Sequence, residues 1–120
     1  MMLRMSAAAL LILCGCGEKI DALNPSDCPA GVVPNYEQDI RPVVETLCTG
    51  CHSSTLAGAG RNGAPAGVNF DSYAAVSAAA LKANTRLGNE SMPPGSSSKA
   101  SAAQKRTFAC WIKGGLQERP

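Results

Sequence analysis

CTGCH, residues 48–52, stands between a stretch of helical periodicity and a glycine-rich loop. Three chemistries use Cys-x-x-Cys followed by His: a redox dithiol, part of a zinc site, and a covalent haem anchor. Each makes different demands on the surrounding chain, so the residues outward from the motif choose among them.

Immediately upstream, NYEQDIRPVVETL (35–47) places Tyr36, Ile40, Val43, Val44 and Leu47 at i, i+4, i+7, i+8 and i+11. That is one apolar face of a helix running directly into Cys48. Proline is tolerated in a first turn and breaks an interior, so Pro42 predicts an ordered helix from Ile40 or Arg41, with Asp39 as its cap. Downstream, residues 53–69 are rich in glycine and lack an apolar period, which predicts a loop. Asp71 is expected to cap a second helix, SYAAVSAAALK, with Tyr73, Val76, Ala80 and Leu81 on one face. Residues 84–98 read as a second loop. In a third helix Ser101 and Gln104 fit a capping box, Phe108, Trp111 and Ile112 form the buried stripe, and Gly114-Gly115 stops it. There is no strand-length β-branched alternation and no internal repeat. The expected class is all-α, about three helices joined by long loops.

The chain has 120 residues, enough for one small domain. With 11 Lys and Arg against 9 Asp and Glu, the charge balance gives no support to nucleic-acid binding. The only aromatics besides His52 are Tyr36, Phe70, Tyr73, Phe108 and Trp111, while alanine and glycine are abundant. A fully buried large apolar side chain contributes about 1.5–3 kcal/mol. So few of them in a domain this small call for a disulfide, a metal or a prosthetic group.

The N-terminus, MMLRMSAAALLILCGC, has one Arg and then a short apolar run, too short for a spanning helix and suited to a signal peptide. The run ends in LCGC (13–16), which resembles a bacterial lipobox, with Cys16 as the lipidated residue. Cys14 would leave with the signal peptide over 1–15, and residues 16–34, which contain three prolines, read as a tether. The mature chain is then expected in the cell envelope, exported, lipid-anchored to a membrane and facing the periplasm or outer surface. That compartment favours a disulfide between the two remaining cysteines outside the motif, Cys28 and Cys110.

These surroundings separate the three chemistries. A structural zinc site needs four ligands; His52 is the only histidine, and Cys28 or Cys110 would have to complete the set without zinc-like spacing. A thioredoxin-like dithiol belongs at a helix start in a βαβ context, whereas this motif follows a helix in a chain without strands. Haem attachment fits. Cys48 and Cys51 are spaced to form thioethers with two vinyl groups, and the adjacent His52 then lies under the ring as the proximal iron ligand. Met92 is the only methionine beyond the signal peptide, and SMPPG presents it on stiff backbone. It is the expected distal ligand, and His/Met ligation raises a haem potential. Lys82, Lys99 or an open position are the other options. Arg61, Asn62, Lys82 and Trp111 are candidate hydrogen-bond donors to the propionates.

DIRPVVETLCTGCH, AGVNFDSYAAV, SMPPG and CWIKGG, in that order, resemble a small monohaem c-type cytochrome domain of bacterial envelope lipoproteins, over roughly residues 36–116. The resemblance implies a cytochrome c-like fold over 35–120, around one covalent haem c. Its first and last helices cross near the haem edge, with Tyr36 or Ile40 packing on Trp111. The implied function is electron transfer with a redox protein partner, without enzymatic activity and without a small-molecule substrate. Two alternatives stay open: a haem-bearing subunit or module of a larger dehydrogenase or oxidase, and a haem peroxidase or gas-binding protein if Met92 is labile. Charge adds one hint. Residues 17–81 carry three Lys/Arg and seven Asp/Glu, whereas residues 82–120 carry seven and two, so a basic surface on the Met92 side is available to steer an acidic partner.

Overall fold

The computed structural model describes residues 28–120. The expected signal peptide, Cys16 and the first part of the tether lie outside the described residues. Within them the protein is all-helical: a π-helical turn Tyr36–Ile40 leading into α1 (Arg41–Leu47), a 3-10 turn Gly58–Arg61, α2 (Tyr73–Gly88) and α3 (Ala102–Lys113). No strand occurs among the described residues.

Pro42 explains the shape of the first segment. In a regular α-turn its ring would press on the carbonyl four residues back. The chain widens there instead: the Ile40 and Arg41 N–H groups donate to the carbonyls of Asn35 and Tyr36, five residues back. Pro42 then falls in the first turn of α1, where a missing N–H costs nothing. The cap is Asn35 and not Asp39. Asn35 Oδ1 accepts from the Gln38 N–H at 2.9 Å, and Asp39 Oδ2 accepts from the Asn35 N–H at 2.8 Å. The two side chains close the turn reciprocally, so Asp39 works from inside the helical segment.

The second helix departs from the sequence expectation at both ends. Its N-cap is Ser72, whose Oγ accepts from the Ala75 N–H at 3.3 Å. Asp71 is occupied elsewhere, accepting from the Ser54 N–H at 2.8 Å. The helix also continues to Gly88, through residues expected to be a loop. Its buried face runs Val76, Ala80, Asn84 and Leu87, while Leu81 points to solvent. An asparagine at a core position hides the period from a reading of hydrophobicity alone.

The third helix follows expectation. Ser101 and Gln104 form the reciprocal capping box, and Gly114 ends the helix. Gly115 and Leu116 then take φ of 88° and 59°, turning the chain back on itself. The Trp111 indole N–H donates to the Gln117 carbonyl at 2.8 Å, and the Tyr73 hydroxyl to Leu116 O at 2.9 Å. The Gln117 and Glu118 carbonyls also accept the Tyr36 and Glu37 N–H groups. The C-terminal segment thereby satisfies donors that the start of any helical segment leaves open.

The core gathers Tyr36, Ile40, Val44, Val76, Ala80, Leu87, Ala100, Phe108 and Trp111. α3 packs on both the π-turn and α2. The Tyr36 and Trp111 rings lie 6.2 Å apart, and Phe108 meets Trp111 edge-on at 5.6 Å. Aromatic pairs so arranged add about 0.5–1.5 kcal/mol beyond area burial. The Cys28 and Cys110 sulfurs lie 2.13 Å apart, at disulfide distance, tying the lead-in to α3.

Candidate functional site

Cys48 is the C-cap of α1, its N–H bonded to Val44 O at 2.8 Å. The Cys48 carbonyl accepts from both Cys51 N–H (3.1 Å) and His52 N–H (2.8 Å). CTGCH is therefore one tight turn continuing the helix, and it brings Cys48, Cys51 and His52 together. Cys48 and Cys51 are both free thiols and both half-buried. Burial pushes the Cys48 thiol up to about 11. A redox dithiol works the other way, through a thiol acidified by its surroundings.

His52 is held from four directions. Its N–H is bonded to Cys48 O, its carbonyl accepts the Phe70 N–H at 2.8 Å, and its ring lies 5.1 Å from the Phe70 ring. Nδ1 lies 3.1 Å from the Val68 carbonyl oxygen. A carbonyl can only accept, so this bond requires the proton on Nδ1 and, in the neutral ring, leaves a lone pair on Nε2. Metal-binding histidines are set up in this way, the second nitrogen fixing tautomer and ring direction.

The loop supplying Val68 is organised by a side chain whose role sequence reasoning missed. Arg61 is only 5% exposed. Its Nε–H donates to Ala64 O at 3.1 Å; Nη1 donates to Ser53 O and Leu56 O at 2.5 and 3.5 Å; Nη2 donates to Pro65 O and Val68 O at 2.6 and 3.0 Å. All five guanidinium N–H groups are thus spent on carbonyls, and none remains for a propionate. Trp111 is likewise committed to Gln117. The clue to Arg61 was in the sequence: it is the only charged residue between His52 and Asp71. Asp71 closes the base of the loop. Bonds from Ser53 and from the Ser54 N–H hold its carboxyl below the usual range.

Met92 lies on the connection between α2 and α3, its N–H bonded to Arg86 O at 3.1 Å. The residue is 36% exposed, one of the few large apolar residues left open among the described residues. Of the other options for the distal position, Lys99 donates its ammonium to Pro93 O, and Lys82 is exposed on α2. Zinc would have needed Cys28 or Cys110, and those sulfurs have each other. Among the described residues no three His, Cys, Asp or Glu side chains gather as a metal-holding group. The donor set suits a haem: two free thiols on one turn, an imidazole with Nε2 available beside them, and a thioether in the second long connection.

No family model, curated protein or solved structure matches the chain.

Proposed function

We propose that this chain is a monohaem c-type cytochrome that passes single electrons in the cell envelope. The observation that carries the reading is the bond from His52 Nδ1 to the Val68 carbonyl, one residue beyond two free cysteines on the same turn. It leaves on Nε2 the lone pair that a ligand needs. When bound, haem c would supply a one-electron iron couple. The chain's own residues supply the rest. Cys48 and Cys51 would anchor the macrocycle, and His52 and Met92 would ligate its iron. Phe70 and the Arg61-bound loop hold the His52 ring in place. A haem held by both His52 and Met92 would leave its iron without an open position for substrate, which favours electron transfer over catalysis. The all-helical architecture and the Tyr36–Trp111 contact between the first and last helical segments support a cytochrome c-like fold. A lipid on Cys16 would keep the protein at a membrane.

The test is expression of the full chain in a host that attaches haem c. The matured protein should carry the macrocycle through denaturation, and its ferric spectrum should show the weak red band of thioether ligation. Met92→Ala should lose that band and keep the covalent haem. A colourless matured chain, of a mass lacking the macrocycle, overturns the proposal.

A further inference from the structure

We infer that Arg61 is the positioning residue that sets the tautomer and direction of His52, acting through the Val68 carbonyl. This rests on the proposed function only for what it implies about the metal. The arrangement itself lies in the chain's own residues.

Val68 O has two lone pairs, and both are used: His52 Nδ1 at 3.1 Å and Arg61 Nη2 at 3.0 Å. A histidine tautomer is only as well defined as the position of its acceptor. The acceptor here belongs to a loop with little apolar anchoring. Most of residues 54–69 are exposed, and Asn62, Gly58 and Gly63 sit at positive φ. What fixes the loop's path is the guanidinium at its centre. Its five donors reach carbonyls from Ser53 to Val68, the two ends of the loop included. The planar fork of arginine can bridge several acceptors at once, whereas a lysine ammonium offers three donors on a mobile stem. The loop's ends are pinned independently, by Phe70 N–H on His52 O and by Ser54 N–H on Asp71, so loss of Arg61 should free the middle of the loop and Val68 more than the fold.

The test is nitrogen NMR of the His52 ring in the full chain, with Arg61→Gln, Arg61→Lys and, as a control for charge, Arg106→Gln on the exposed face of α3. Trp111 fluorescence and a thermal melt establish that each variant is folded at the measuring temperature. In the parent chain and Arg106→Gln, Nδ1 should carry the proton and exchange it slowly. In Arg61→Gln the ring should become a mixture of tautomers, or, with haem bound, exchange its Nδ1 proton about tenfold faster, the factor expected for losing one charge-assisted bond. Arg61→Lys should fall between, and it serves as the readout if the glutamine variant fails to fold. A folded Arg61 variant with the parent tautomer and parent exchange rate overturns the inference. The haem-free and haem-bound arms separate the two claims. A chain that never takes up haem but shows the tautomer change supports the role of Arg61 while overturning the cytochrome reading. A haem-loaded Arg61→Gln chain that exchanges like the parent does the reverse.

Discussion

Cys48 and Asp71 are displaced in opposite directions, and each displacement has a measurable consequence. The Cys48 thiol, raised by burial to about 11, is almost wholly protonated at neutral pH. At pH 8 about one molecule in a thousand would carry the thiolate, against about one in ten for a thiol at the ordinary 9.0. Alkylation of Cys48 in the folded, haem-free chain should therefore be slow and should accelerate tenfold per pH unit up to about 11. Rapid alkylation at pH 7 would revive the redox-dithiol reading. Asp71 is held below its ordinary 3.8, first by the Ser53 side chain and then by the Ser54 N–H. A depressed carboxyl contributes stability that is complete above the unfolded value and lost as pH falls through the folded one. The base of the loop should accordingly stay closed above 3.8 and open only at lower pH. The Ser54 amide resonance reports this directly, and Asp71→Ala should remove that acid-dependent movement. Neither property could be read from the sequence. They arise from the folded chain, burial for Cys48 and bonds from Ser53 and Ser54 for Asp71, and only the identity of the motif is local.

The helices show where sequence reasoning succeeds and where physics outside its reach intervenes. α3 was legible because each signal was local: Ser101 and Gln104 three apart, an apolar stripe, then two glycines. Ser101→Ala should cost about 1 kcal/mol. Trp111 is fully buried with its N–H satisfied, so Trp111→Ala should cost about 3–5 kcal/mol. Denaturant melts that rank the two in the opposite order would contradict the packing described. The first segment was legible in its apolar face and not in its cap, because Pro42 imposed a wider turn that moved the capping role back to Asn35. α2 looks shorter in sequence than it is because Asn84 occupies a core position and Leu81 an exposed one. The candidate site divides in the same way. Cys48, Cys51 and His52 are a sequence pattern, whereas Arg61 earns its place only through five carbonyls spread along a loop. A buried cation without an acid nearby in sequence looks like an ordinary surface arginine until the loop is folded around it.

Across the whole molecule, charge follows the chain: three Lys/Arg against seven Asp/Glu over residues 17–81, and seven against two over residues 82–120. Exposed Lys82 and Arg86 on α2 and Arg106 on α3 belong to the two helices that frame the connection carrying Met92. Arg86 also holds that connection, through its carbonyl on the Met92 N–H. Lys105 is paired with Glu90 at 2.8 Å and adds less. Clustered exposed charges of one sign speed encounters with an oppositely charged partner, and salt screens them over a Debye length of about 8–10 Å near physiological ionic strength. If electrons leave through the Met92 side, the second-order rate with an acidic redox protein should fall steeply as salt rises. Lys82→Gln, Arg86→Gln and Arg106→Gln should each lower the rate at low salt and flatten its dependence. The same changes should leave the rate at high salt nearly unaltered, because screening has already removed what they remove. Stopped-flow rates across an ionic-strength series decide the matter. A flat profile for the parent chain would mean that these cations only solvate the helix surfaces, and that the partner docks elsewhere.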